Sequence, residues 1–163
     1  AMKYSVREKT CFSIALRIDK HLGEALTLLE QYVGNSLDCV LKINENTCVL
    51  VRFVGEEMEE YHSSTDYAEF LVQLLKEELG VDALAGVGQM VRELKDISAS
   101  YMGAENALRY ADVFDVQGCV HSYREFILVQ MLEAIPESRL EEFLSDEPNF
   151  SDTYLNASAN DEI

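Results

Sequence analysis

Apolar and polar positions follow two clear periods in the first part of the chain. Between Cys11 and Ile18 they alternate, with Phe12, Ile14, Leu16 and Ile18 on one side and Ser13, Ala15 and Arg17 on the other. This period of two predicts a strand. From residue 22 to residue 33 the apolar side chains recur three or four positions apart, which predicts an amphipathic helix ending at Gly34.

A hairpin and a second helix are expected next. The runs Asp38 to Ile43 and Thr47 to Val54 are rich in β-formers, and Asn44-Glu45-Asn46 lies between them. Asp66 and Glu69 resemble a capping pair, so the following helix is predicted to begin there. Its apolar stripe includes Tyr67, Phe70, Leu71, Leu74, Leu75 and Leu79, and Gly80 suits its end.

The pattern in the rest of the chain predicts five further elements. They are a strand at Ala83 to Val87, a helix at Ser98 to Asp112, a strand at Cys119 to Tyr123, a helix at Phe126 to Ala134, and a helical turn opened by Ser138 and Glu141 after Pro136. The order is β-α-β-β-α-β followed by α-β-α. It predicts an α/β (α+β) fold: a split β-α-β-β-α-β unit whose antiparallel sheet carries helices on one face and is extended by the extra helix and strand.

Composition indicates one folded domain and argues against nucleic acids and anionic membranes as its partners. The chain has 163 residues, 48% of them hydrophobic, and a formal net charge of −17. A surface this acidic repels DNA phosphates and anionic membranes, so these residues alone are predicted not to bind either. The segment 147–163 is predicted to be a polar tail or linker. The acidic run from Gly55 to His62 is predicted to be a solvated loop, since it lacks the spacing of a calcium site.

The cysteines and the absence of targeting signals favour a cytoplasmic protein. Cys11, Cys39, Cys48 and Cys119 form no C-x-x-C pair, and three of the four lie in apolar strand-like runs, where a cysteine behaves as a small hydrophobic residue. We expect neither a disulfide framework nor a zinc site. The sequence contains neither a signal peptide nor an apolar run of membrane-spanning length.

Gly86-Val87-Gly88 is the first candidate site. A phosphate-binding loop requires a third glycine or a Gly-Lys-Ser/Thr sequence, followed directly by a helix. Here Gln89-Met90-Val91 follows, and the predicted helix starts only near Ser98. We therefore predict a tight reversal of the chain.

The titratable residues offer one further candidate. His21, His62 and His121 lack partners at metal-ligand spacing; the first two are expected to be solvated and His121 to be structural. No G-x-S-x-G nucleophile is present. Asp19 after the first strand and Glu45 in the hairpin are expected to lie close together in a palm-like sheet, where carboxylates can hold metal ions for phosphoryl chemistry.

The run G-V-G-x-x-V-x-x-L-x-x-I-x-x-S-Y-x-x-A-x-x-A-L, from Gly86 to Leu108, resembles the GGDEF-like domain of transcriptional regulators of the PucR/CdaR type, which control purine and sugar-diacid metabolism. The resemblance extends from about Thr10 to Asp146. It implies a regulatory domain at residues 10–146, a homodimer, and a carboxy-terminal helix-turn-helix beyond the 163 residues. DNA would be bound only through that missing part.

Active diguanylate cyclases share this fold, and the resemblance implies where their metal site would fall. Leu16-Arg17-Ile18-Asp19 stands at the L-D-x-D position, so Arg17 replaces the first metal-binding aspartate. The hairpin Ile43-Asn44-Glu45-Asn46-Thr47 lacks both glycines of the GGDEF motif. A cation in place of a ligand opposes metal binding, so no catalytic residue, metal or cofactor is predicted.

Three hypotheses remain open at this stage. The first is a non-catalytic regulatory and dimerisation module, with Leu140, Phe143 and Leu144 as a candidate dimer patch. The second is a nucleotide-binding or cyclase-like enzyme. The third is a sensor that holds a small effector itself, although the sequence identifies neither the effector nor its site.

Overall fold

The computed structural model describes residues 9–34, 36–55 and 62–146. In chain order its elements are β1 (Cys11–Ile18), α1 (Leu22–Val33), β2 (Cys39–Lys42), β3 (Thr47–Phe53), α2 (His62–Leu79), β4 (Ala83–Val87), α3 (Ile97–Val113, after a 3-10 turn at Leu94–Asp96), β5 (Val120–Ser122), α4 (Tyr123–Glu133) and α5 (Glu137–Asp146). The predicted acidic loop lies largely at residues 56–61 and the predicted tail at 147–163, both outside the described residues.

The described strands form one open mixed sheet in the order β2-β3-β1-β4-β5. The first four are antiparallel, with Ile14 of β1 opposite Leu50 of β3 and Val87 of β4. This confirms the α/β class and the split unit. The fifth strand runs parallel to β4 because α3 crosses between them, and such a crossover returns the chain in the same direction.

The two sides of β1 pack against different helices. Phe12, Ile14, Leu16 and Ile18 join α1 and α2 in the larger core cluster, which also holds Leu29, Leu71 and Leu75. Cys11 and Ala15 on the other side pack in a second cluster with Ala104 and Leu108 of α3. The alternation is confirmed, but the prediction of helices on one face holds only for α1 and α2. Because the opposite face carries small residues, α3 can cover it.

The largest differences from the predicted boundaries lie at the starts of α2 and α4. Helix α2 begins at His62, so the predicted capping pair is wrong and Asp66 lies inside the helix; no glycine or proline interrupts the chain between these positions. The predicted end is confirmed, since Gly80 adopts the left-handed conformation with φ 65°. Strand β5 is shorter than predicted, because Tyr123 already belongs to α4.

The chain divides into two compact units after Phe126. The first contains the sheet, α1 to α3 and the start of α4. The second contains the rest of α4 and the described part of α5. The predicted domain boundary at residue 146 remains a prediction.

Candidate functional site

The glycine motif lies where α3 packs on the sheet. A Cβ atom built on Gly88 would lie 1.9 Å from the carbonyl oxygen of Ser100, and one on Gly86 would lie 2.2 Å from that of Ala104. Neither glycine has a positive φ, and Gly86 belongs to β4. The predicted chain reversal is therefore wrong. Both positions require glycine because the backbone of α3 rests directly on the strand.

Buried serines complete this contact. The hydroxyl of Ser100 accepts the N–H of Ser13 at 2.9 Å and lies 3.2 Å from the Ser13 hydroxyl oxygen. The N–H of Gly88 donates to the carbonyl oxygen of Ser13 at 2.9 Å. This amide is therefore used within the sheet, whereas a phosphate-binding loop directs its amides at a ligand. The residues of the motif from Gly86 to Leu108 thus form a close contact between α3 and the sheet. We call this contact, in which Gly86, Gly88 and Ser13 meet Ser100 and Ala104, the α3 seam.

Arg17 connects the end of β1 to the last turn of α3. Its Nη1 donates to Oδ2 of Asp112 at 2.6 Å, and the two side chains are 32% and 55% exposed. A partly exposed pair of this kind contributes at most about 1 kcal/mol. The main consequence of the pair is the local charge, because a guanidinium with its own carboxylate partner lies at this end of the central strand.

The acidic residues near Arg17 have partners of their own. A carboxylate oxygen of Asp19 accepts the N–H of Asp82 at 3.1 Å, and Lys76 Nζ lies 2.9 Å from Asp82 Oδ1. The hydrogen bond and charge of Lys76 lower the pKa of Asp82, and the same pair raises the pKa of Lys76. Asp19 thus joins the ends of β1 and β4.

The hairpin tip points its carboxylate into solvent. Glu45 is 97% exposed and lies 3.6 Å from Lys42, its neighbour on the same hairpin. Asn44 Oδ1 accepts the N–H of Asn46 at 3.0 Å, which closes the turn without glycine. Among residues 9–34, 36–55 and 62–146, no three His, Cys, Asp or Glu side chains lie close enough together to hold a metal ion. The structure does not bring Asp19 and Glu45 into such a group.

The histidines take the expected positions where their side chains are described. His21 is exposed beside Glu24. His121 is buried, and its Nε2 donates to the carbonyl oxygen of Gly118 at 2.9 Å, holding the turn before β5. The Nδ1 of His121 lies 3.7 Å from Glu125. The side chain of His62 lies outside the described residues.

The four cysteines are free and differ in exposure. Cys11 and Cys48 are buried, and burial raises the pKa of the Cys48 thiol to about 12. Cys39 and Cys119 are exposed, so only Cys11 and Cys48 take the small hydrophobic role that was predicted for three of the four cysteines.

Two cavities lie near the ends of β1 and β4. One of 390 Å³ is lined by Arg17, Asp19, Asn46 and Asp82, and one of 440 Å³ lies between α2 and β5. Cys119 and Asp82 contribute to both. The polar residues at this end are largely paired with one another.

A third cavity, which we call the β3-end cavity, lies at the opposite end of the sheet and encloses 320 Å³. Among the described residues, its polar lining consists of Lys9, Tyr32, Ser36, Asp38, Arg52 and Tyr67. Sequence reasoning missed this set because the residues come from separate elements and share no spacing. Only the register that brings Phe53 beside Cys11 places them together.

The fold is thus an α+β sheet domain whose third helix is seated on a glycine seam. A family model for the GGDEF-like domain matches residues 7–110, and the chain belongs to this family. No curated protein and no solved structure gave a match. Within the described residues, no helix combines the length and the apolar character that crossing a membrane requires.

Proposed function

We propose that this chain is a non-catalytic regulatory and dimerisation module of a bacterial transcriptional regulator of the PucR/CdaR type. It would relay a signal to a DNA-binding helix-turn-helix outside these 163 residues. Membership of the GGDEF-like family and the motif from Gly86 to Leu108 support this assignment. The observation that carries the non-catalytic part is the ion pair between Arg17 and Asp112.

The chemical argument concerns the charge at the end of β1. Phosphoryl chemistry on GTP needs carboxylates that hold Mg²⁺ at the phosphates. Here the side chain at position 17 is a cation that already has a carboxylate partner, and the hairpin carboxylate of Glu45 is solvated. A divalent cation would be repelled by Arg17 and would have to compete with it for Asp112.

The first prediction follows from this charge arrangement. We expect the protein to bind GTP with Mg²⁺ more weakly than about 1 mM, equivalent to roughly −4 kcal/mol, and to form no cyclic dinucleotide. Isothermal titration calorimetry and chromatography of the reaction mixture measure both. Micromolar GTP affinity that disappears in Glu45→Ala would instead assign nucleotide chemistry to the hairpin.

Exposed apolar side chains in the second unit support self-association. Ile127, Met131, Leu132 and Ile135 recur at helical spacing and are 40%, 62%, 44% and 38% exposed. Of the patch predicted from sequence, Leu144 is 71% exposed, while the side chains of Leu140 and Phe143 lie outside the described residues. A helix that is apolar on several sides gains stability when a second surface covers it. A dimer would provide that surface.

The second prediction concerns DNA and stoichiometry together. Residues 1–163 alone should give no gel shift at about 10 μM protein, because a net charge of −17 opposes phosphate contact. The longer protein should bind its own promoter at about 10 nM or tighter, with two copies on paired half-sites. Met131→Glu in the longer protein should weaken the two-copy complex, while Met102→Glu, at an exposed position on α3, serves as the control.

Two outcomes would contradict the regulator proposal, and a third would contradict the dimer surface. A shift by residues 1–163 alone would place the DNA site inside this domain. Failure of the longer protein to bind in the presence of its effector would show that the parent is not a DNA-binding regulator. A two-copy complex that tolerates Met131→Glu would remove the α4 surface from the dimer.

A further inference from the structure

The β3-end cavity brings together a polar set of side chains from four parts of the first unit. Lys9 precedes β1, Tyr32 lies at the end of α1, Asp38 and Arg52 belong to the hairpin region, and Tyr67 lies on α2. Its volume of 320 Å³ lies at the small end of the range of ligand pockets, about 300–1,000 Å³.

Contacts among the lining residues fix the Arg52 guanidinium in position. It lies 3.6 Å from the centre of the Tyr67 ring, in cation–π geometry, and its Nη1 lies 3.8 Å from Asp38 Oδ2. Asp38 is held in turn, because its Oδ1 accepts the N–H of Phe53 at 2.9 Å. A site whose charged groups are already oriented loses less entropy when it takes up a ligand.

The charge of this lining differs from that of the molecule. The chain carries 30 acidic and 13 basic residues, yet among the described residues that line this cavity two are cations, Lys9 and Arg52, and one is a carboxylate, Asp38. The cavity beside Arg17 has the opposite balance, with Asp19 and Asp82 against one cation. The β3-end cavity is therefore locally favourable to an anion on a surface that otherwise repels one.

Hydroxyl groups lie beside the two cations. Burial raises the pKa of the Tyr67 phenol, while the nearby Arg52 opposes that rise, so the phenol keeps its proton at neutral pH. Tyr32 lines the same cavity. A guanidinium fork matches a carboxylate, and phenol hydroxyls match alcohol groups.

We propose that the β3-end cavity binds a small organic acid that carries a carboxylate and at least one hydroxyl group. The carboxylate would share the Arg52 guanidinium with Asp38 and approach Lys9, and the hydroxyl group would reach the phenols of Tyr32 and Tyr67. This site lies at the opposite end of the sheet from Arg17. The binding proposal therefore does not depend on the proposal that the chain is a non-catalytic module.

Calorimetry on the intact chain tests this proposal with malate as the hydroxylated carboxylate, inorganic phosphate as an anion alone and glycerol as a hydroxyl compound alone. Malate should bind saturably at one site, phosphate more weakly, and glycerol not at all. Arg52→Lys should weaken malate binding about tenfold or more, because it keeps the charge and loses the fork. Lys9→Gln should weaken it severalfold, whereas Lys95→Gln, which removes one exposed cation elsewhere, should leave it unchanged.

The comparison remains decisive if Arg52→Lys does not fold, because Lys9 is exposed and its substitution leaves the core intact. Equal malate affinities in Lys9→Gln and Lys95→Gln would overturn the assignment. Failure to saturate at about 10 mM malate would do the same. Phosphate binding as tight as malate binding would overturn the organic-acid class.

Discussion

Replacing Gly88 with alanine should lower the free energy of unfolding by about 3 kcal/mol or more. The added methyl group would meet the carbonyl oxygen of Ser100 at 1.9 Å, and that oxygen belongs to the backbone of α3. A helix backbone cannot rotate away as a flexible side chain does, so α3 must move off the strand. Gly86→Ala meets Ala104 in the same way and should behave similarly. Urea unfolding followed by circular dichroism measures both changes.

Gly23→Ala provides the matched control for these variants. Gly23 lies in α1, and nothing approaches an added Cβ within 4 Å. This substitution should stabilise the protein by about 0.4–1 kcal/mol, because alanine restricts the unfolded chain and favours helix. If Gly88→Ala proves as harmless as Gly23→Ala, the α3 seam is not the reason for the glycine motif.

The period-two and helical patterns predicted the first unit well. The strand from Cys11 to Ile18 has the predicted bounds, as does the strand from Ala83 to Val87. These segments were predictable because one apolar face of each element must be buried, and burial leaves a period in the sequence. The two helix starts that differ most are at His62 and Tyr123. The second carries a cap signal that the prediction missed: Ser122 and Glu125 have the spacing of a capping box, and the Ser122 hydroxyl oxygen accepts the N–H of Arg124 at 3.3 Å.

The second covered face of the sheet could not be predicted. Ser13 and Arg17, as polar residues, predict a face open to solvent. Ser13 is nevertheless fully buried, because α3 covers this face and its Ser100 hydroxyl accepts the N–H of Ser13. Gly86 and Gly88 indicate a turn when read alone, because a sequence does not show which backbone will approach a glycine. The signal was present only in combination, as small residues of α3 that recur at helical spacing after Gly86 of β4 and Gly88, which follows that strand.

Of the candidate sites, one was predictable from the sequence and the other was not. Reasoning from charge identified Arg17 as a residue unsuited to a metal position, and the structure supplies its partner, Asp112. The third hypothesis from sequence, an effector held by the domain itself, had no residues to support it. The cavity proposed as a binding site contains Arg52 of β3 and Tyr67 of α2, which come together only when the chain folds.

Raising the pH should destabilise the protein through Cys48. Burial raises the pKa of this thiol from its ordinary value of 9.0 to about 12, because the thiolate would lose its hydration in the core. Below pH 9 the thiol is neutral in both states, so the stabilisation is fully present. Between pH 9 and 12 the unfolded chain releases the proton while the folded chain retains it, which favours unfolding by up to about 4 kcal/mol, on the order of 3 kcal/mol of it by pH 11.

Urea unfolding between pH 8 and 11, with a reductant present, measures this loss. Burial also raises the pKa values of Cys11 and Tyr67, and partial desolvation raises that of Cys39, so the wild-type decrease includes their contributions in the same direction. Cys48→Ala isolates the single thiol: it should begin less stable because of the cavity it leaves, yet lose about 3 kcal/mol less than the wild type by pH 11. Cys119→Ala removes an exposed thiol and should retain the wild-type pH dependence. Parallel curves for Cys48→Ala and the wild type would show that this thiol ionises without opening the core.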